Sequence, residues 1–431
     1  MKTYLEMTTR ELMAEKAALE QQFEEIKTRK LKLDMSRGKP SFAQLELSDE
    51  MMDVLDSHSY FNDETGTDCR NYGVLAGIPE AKRLMGAMSE VAPDDMIIFG
   101  NSSLNIMFNT VSRSYTHGVC GSTPWCRLDK PVKFLCPVPG YDRHFRITEF
   151  FGIEMIPIPM TETGPEMDLV EKFVSEDPMV KGIWCVPKYS NPQGYSYSDE
   201  TVRRFAALKP AAEDFRIYWD NAYSIHHLYE DPEKQDVILE LLSECRKAGN
   251  PDLVFKFIST SKVTFPGSGL AALAASKRNL EDIERYMAVQ TIGHDKMNQL
   301  RHVRFFGNLA NMQEHMQRHA EILRPKFEAL WEIFDRELAG LEIGEWTKPR
   351  GGYFLSFDSM DGCAKAIVAK CAEAGVKLTG AGATFPYGID PRDRNIRIAP
   401  SYPELKELIR AAEVFVLSVK LVSAEKILST R

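Results

Sequence analysis

Long apolar runs are missing from this 431-residue chain. None approaches the ~20 residues a helix needs to cross a bilayer, so no membrane span is expected. A secretory leader is not expected either. The N-terminus, MKTYLEMTTRELMAEKAALEQQF, has no apolar core and reads as a charged helix. Positive charge is not in excess: 53 Lys and Arg stand against 62 Asp and Glu, a net charge of −9. That argues against general nucleic-acid binding, which needs a basic surface. The eight cysteines (69, 120, 126, 136, 185, 245, 363 and 371) form no CxxC pair and show no regular spacing. They fit reduced thiols of a cytoplasmic protein rather than a disulfide framework. No internal repeat or low-complexity tract interrupts the chain.

What is present is an ordinary globular composition, 44% hydrophobic and 27% charged, in a chain long enough for two domains. Thr8 and Glu11 make a capping box for a first helix running to about Lys30, and an extended piece, LKLDMSRGKPSF, follows. From about residue 50 to 300, helical stretches alternate with short apolar runs. MIIFG (96–100), VKFLCPV (132–138), MIPIPM (155–160), VKGIWCVP (180–187), FRIYWD (215–220) and LVFKFIST (253–260) read as strands. They are continuous rather than alternating, as expected for a largely parallel α/β sheet covered on both faces. Residues 295–337 form one helical pattern interrupted near Pro325. Residues 341–431 mix short strands (YFLSF, NIRIAP) with two further helices, at 361–374 and 403–425.

In such sheets ligands sit at the carboxyl ends of strands, and chemistry-bearing residues collect there. Asp220 closes FRIYWD, with Tyr223 three residues on; alone, the aspartate reads equally well as a helix cap. Asn191 opens the turn NPQG after VKGIWCVP. Lys262 follows FKFISTS and precedes a Gly- and Pro-containing loop. A lysine there is usually a snorkelling surface residue, but a desolvated amine is also what covalent attachment to a carbonyl group needs. Four such residues at strand ends of one sheet are harder to ascribe to chance than any one of them.

The order NPxG, D-x-A-Y, S-x-S-K resembles the pyridoxal-phosphate enzymes of the aspartate aminotransferase fold over nearly the whole chain. It looks closest to the bacterial subgroup Ic aspartate aminotransferases and is similar to the aminotransferase domain of MocR-type regulators. The resemblance implies a fold type I α/β architecture: a large cofactor-binding domain with a mostly parallel sheet (49–321), and a smaller α/β domain built from both termini (1–48 and 322–431). It implies that Lys262 carries the cofactor, with Ser259, Ser261 and the glycine-rich turn about its phosphate. Asp220 would pair with the pyridine nitrogen, supported by His144. Tyr223 and Asn191 would bond the phenolic oxygen, and Tyr141 in PGYDRH would stack on the ring. Ser102, Ser103 and Leu104, where a strand passes into a helix, would offer backbone N–H groups to the phosphate. Tyr72, in Y-x-x-x-x-G, would reach the phosphate of a neighbouring subunit, which implies a homodimer with shared sites. Arg397 in NIRIAP would bind the substrate α-carboxylate, with Gly38 close by.

One departure stands out. Relatives carry a phosphate-binding arginine seven or eight residues after the lysine; here those positions are Gly269 and Leu270. Lys256 is a candidate replacement, and a structural lysine is an equal reading. For the side-chain carboxylate of an acidic substrate the candidate cations are Arg37, Lys39 and Arg127, with Arg37 favoured. His315 and His319, at i, i+4, are read as a solvated helix face rather than a metal site, and no metal is expected. His226 and His227 are read as lining or packing. The expected activity is amino transfer from an amino acid, aspartate by subgroup, to a 2-oxo acid, 2-oxoglutarate by the same argument. A lyase or decarboxylase on the same cofactor is the alternative. A ligand-sensing regulatory domain is the remote one, since the roughly 45 residues ahead of the aminotransferase-like region are not strongly basic and show one helix.

Overall fold

The computed structural model describes residues 2–431. In chain order its strands are β1 (Leu33–Asp34), β2 (Met96–Ile98), β3 (Lys133–Val138), β4 (Glu154–Thr161), β5 (Gly164–Pro165), β6 (Val180–Cys185), β7 (Arg216–Asp220), β8 (Val254–Ser259), β9 (Ala271–Ala274), β10 (Gly344–Trp346), β11 (Leu355–Ser359), β12 (Val376–Lys377) and β13 (Asn395–Ile398). Eight of them form one sheet in the order β2-β9-β8-β7-β6-β3-β4-β5. The β8-β7-β6-β3-β4 ladders are parallel, while β9 runs antiparallel to both neighbours. Every residue of β6, β7 and β8 is buried, so helices cover both faces, and the continuous apolar runs have that cause.

A second, antiparallel sheet has the order β10-β11-β13, and β1 pairs with β12. One apolar core joins residues of the N-terminal segment, Tyr4, Leu12, Phe23 and Met35 among them, to residues between Leu323 and Ile427, and takes in Val186, Tyr189, Tyr223 and Leu228. The two faces of the large sheet pack into separate cores drawn from residues 69–316. The helix Thr9–Lys27 packs on the last helix, Leu405–Ser429. This is the α/β fold expected, with a mostly parallel central sheet.

Three local expectations are corrected. The first helix stops at Lys27, and Lys30 already has φ of 48°. The break in the long helical pattern lies at Gly307-Asn308, not at Pro325. Gly307 has φ of 69°, and the Asn308 side chain caps the next helix by accepting from Asn311 N–H. Pro325 lies inside the continuous helix Leu309–Leu338. Strand β9 was not foreseen: its sequence, AALA, lacks the β-branched residues that mark a strand, and its place between β2 and β8 is set by the ladder.

Candidate active site

The carboxyl ends of four neighbouring strands, β8, β7, β6 and β3, deliver Lys262, Asp220, Asn191 and Tyr141 in that spatial order. All four line one cavity of about 250 Å³. Ser102, Ser103, Leu104, Tyr223, Ser261 and Gly38 line the same cavity.

Asp220 is buried, and its Oδ2 lies 3.0 Å from His144 Nε2. The His144 ring is fixed by stacking on Trp184 at 4.5 Å. The other carboxylate oxygen, Oδ1, is buried without a partner. An unsatisfied buried carboxylate oxygen is costly, so this one is shaped for a donor from outside the chain. The Lys262 amine lies 5.0 Å above the Tyr223 ring; burial lowers its pKa, opposed by the negative charge of Asp220. Burial, reinforced by Asp220, raises the Tyr141 hydroxyl to about 12, and burial drives Tyr223 well above its ordinary range.

Lys262 sits in a tight turn between β8 and β9. Thr260 closes it by donating its backbone N–H to the Leu270 carbonyl and accepting Leu270 N–H on its Oγ1, both at 2.8 Å. This closure bears on one of the two positions where relatives carry the arginine; the other is the buried Leu270. A Cβ on Gly269 would stand 2.9 Å from Thr260 Oγ1 and 3.1 Å from the Phe265 carbonyl, so no side chain fits there without moving the turn. What faces the cavity instead is neutral. Ser102 caps the helix Ser103–His117 by accepting Asn105 N–H, which leaves the first N–H groups of that helix open, and Ser261 stands opposite. Ser259 is set one step back, accepting Ser261 N–H on its hydroxyl at 3.0 Å.

Arg397, on β13, is buried. Its Nη1 donates to Asp142 Oδ1 at 2.7 Å and to Asn191 Oδ1 at 3.3 Å, and the Phe354 ring lies 5.0 Å from the guanidinium.

Other candidates are placed elsewhere. Lys256 points to the opposite face of β8, where it donates to Glu240 at 2.8 Å and to the Ser89 carbonyl at 2.7 Å; it is not a phosphate anchor. Arg127 lies at the other end of the sheet: nearby Trp125 donates to Asp214, just ahead of β7. Lys39 is spent on the Tyr402 ring at 3.9 Å. Arg37 is exposed beside Gly38, outside the cavity lining, and Tyr72 is 79% exposed and far from saturated by its own chain.

The reading of His315 and His319 as a solvated face is overturned: they are 6% and 1% exposed. They sit beneath the lysine turn. His315 Nε2 donates to the Val263 carbonyl at 2.8 Å, and the Nε2 atoms of His315 and His319 are 3.1 Å apart. Gln44, from the N-terminal segment, contacts His319 Nδ1 at 3.1 Å and donates to Tyr353 at 2.9 Å, and Tyr353 donates to the Lys262 carbonyl at 3.4 Å. His302 holds the same turn through Thr264 Oγ1 at 3.0 Å. Among the described residues no cluster of three or more His, Cys, Asp or Glu suits a metal. His226 is buried edge-on to Tyr223, and His227 Nδ1 is hydrogen-bonded to the Tyr189 hydroxyl at 2.6 Å, so the doublet packs around the site. Of this layer, only the i, i+4 histidine spacing was a signal in the sequence.

The model of the family described as "Aspartate amino-transferase" matches residues 7–431. The chain belongs to that family. It is 42% identical to the aspartate aminotransferase of Corynebacterium glutamicum over 409 residues, 94% of this chain and 93% of the relative. The crystal structure of an aspartate transaminase from that organism superposes with a TM-score of 0.95 at 40% identity, covering 99% of both chains. The α-aminoadipate aminotransferase LysN of Thermus thermophilus, at 18% identity and a TM-score of 0.69 over 94% of this chain and 96% of LysN, shares the fold. This chain is therefore an aminotransferase on the pyridoxal-phosphate-dependent type I fold.

Proposed function

We propose that this chain is an aspartate transaminase that binds pyridoxal 5'-phosphate in the cavity between Lys262 and Asp220 and passes the amino group of aspartate to 2-oxoglutarate. The observation that carries this is the orphaned Oδ1 of Asp220 facing the same cavity as a desolvated lysine. The cofactor, when bound, supplies the carbonyl that captures the amine and the electron-withdrawing ring that stabilises charge at the substrate Cα. The residues fit it. Asp220 Oδ1 is free to accept from the pyridine nitrogen, with Oδ2 held by His144. The Tyr141 ring walls one side. Tyr223 and Asn191 are in place for the phenolic oxygen. Ser102, Ser103 and Leu104 at a helix start, with Ser261 and with Ser259 behind it, form a phosphate cradle without arginine.

Lys262 would hold the cofactor. Once released, its Nζ would carry the proton from the substrate Cα to the adjoining cofactor carbon in the donor half and in the reverse direction in the acceptor half, in ping-pong order. Arg397 binds the α-carboxylate, with Gly38 beside it. Arg37, exposed but next to the cavity-lining Gly38, is assigned to the side-chain carboxylate from the cavity's edge, because selectivity for an acidic substrate needs a cation. The exposed Tyr72 suits a homodimer in which it reaches the neighbouring site. Residues 49–321 act as the large domain and 1–48 with 322–431 as the small one, whose core also takes in Val186, Tyr189, Tyr223 and Leu228 of the large one. No described helix is long and apolar enough to cross a membrane, and all eight cysteines are free, which suits a reducing cytoplasm.

Enzyme mixed with aspartate and 2-oxoglutarate should yield oxaloacetate and glutamate in equal amounts, and Arg37→Ala should lose aspartate while sparing alanine. Release of CO₂ or ammonia without glutamate would instead make the chain a decarboxylase or lyase.

A further inference from the structure

The substrate-carboxylate arginine is already bonded to a carboxylate of its own chain. Asp142 is the first residue of the helix Asp142–Phe150, directly after Tyr141, and Arg397 lies on β13 of the other sheet. Their bond, Arg397 Nη1 to Asp142 Oδ1, is 2.7 Å, the length of a charge-assisted pair. Asn191 Oδ1 shares the same Nη1 at 3.3 Å. Nη2 has no partner nearer than Thr379 Oγ1 at 3.5 Å, and the buried Nε has none. Asp142 thus holds one prong of the guanidinium fork while the rest is poorly satisfied.

We infer that Asp142 is the resident counter-ion of the carboxylate site: it neutralises Arg397 until the carboxylate shared by 2-amino and 2-oxo acids takes its place. The inference rests on the reading of Arg397 given above. The two partners differ in a way that makes the exchange one-sided. Arg397 is enclosed, with a side chain 8% exposed, whereas the Asp142 side chain is 26% exposed and keeps one side to water. On release, Asp142 remains at a helix N-terminus, where negative charge is favourable. Arg397, left alone, would be a buried cation with few acceptors, so it needs a carboxylate from one source or the other. An arginine neutralised by an internal carboxylate attracts an incoming one less strongly. The device therefore weakens binding of donor and acceptor alike, an effect that belongs to KM.

The test is calorimetric titration of the holoenzyme with succinate, a carboxylate with no amino or oxo group to react, at fixed ionic strength. Wild type, Asp142→Asn, Asp142→Ala and Arg397→Ala are compared, each checked for folding by circular dichroism. Both Asp142 variants should bind succinate about tenfold more tightly, the scale of one partly screened ion pair, and KM should fall for the amino acid and the oxo acid together. If Arg397→Ala abolishes binding while the Asp142 variants bind no tighter than wild type, Asp142 only positions the arginine and the inference is overturned, with the assignment of Arg397 intact. If Arg397→Ala binds succinate as wild type does, Arg397 is not the carboxylate site and both fall. Should Asp142→Ala fail to fold, the near-isosteric Asp142→Asn decides.

Discussion

Lys256 sits in the middle of β8 with its amine bonded to Glu240 and to the Ser89 carbonyl, and both charged side chains are buried. Removing one partner of a buried pair leaves the other uncompensated. Lys256→Met should therefore cost about 3 kcal/mol of stability, somewhat relieved because Glu240 keeps the N–H groups of Leu242 and Ser243. Urea unfolding read beside cofactor affinity checks this: stability should fall while affinity holds, and the reverse pattern would return Lys256 to the role of phosphate anchor. The sequence could not separate these roles, because the lysine's partners lie 16 and 167 residues away. The same holds for Gly269. The absence of an arginine was legible in the sequence; the Thr260 hydroxyl that crowds Gly269 was not.

The helices Lys296–Phe306 and Leu309–Leu338 bring His302, His315 and His319 under the turn that bears Lys262. Burial lowers His302 from 6.5 to about 4 and His319 to about 3, so both are neutral in the fold and protonate more readily when it opens. The sign follows: the unfolded chain binds more protons below about 6.5, so stability is full above that pH and falls as pH drops towards 4, by up to about 1.4 kcal/mol per pH unit for each group. Thermal unfolding between pH 7.5 and 4.5 should show this slope, and His319→Gln should flatten it; an unchanged slope would mean that His319 is not held neutral. At this scale the sequence was uneven. Strands β3, β4, β6, β7 and β8 were legible because a doubly covered strand must be apolar throughout. The histidine face was misread because i, i+4 polar residues look solvated until Gln44 and Ser48, some 270 residues earlier, are folded against them.

Across the whole molecule, the site joins two sheets. The large sheet supplies Lys262, Asp220, Asn191 and Tyr141 from four neighbouring strand ends, and the small one brings Arg397 behind the lining, bonded to Asn191. The two are tied next to the cavity by Gly140 N–H donating to the Thr384 carbonyl at 2.8 Å and by the Asp142–Arg397 pair. The motif order was enough to bring the strand-end residues together in advance. The counter-ion on Arg397 carried no motif and emerged only from the folded chain. The account stands or falls on Lys262 as the point of cofactor attachment opposite Asp220. Borohydride reduction of the holoenzyme, followed by proteolysis and peptide mapping, tests it most directly. One phosphopyridoxyl group per chain should be found, on Lys262, and Lys262→Ala should carry none while losing at least ~10² to 10⁴ in turnover. A label on another lysine, such as the buried Lys188 or Lys256, would contradict the account.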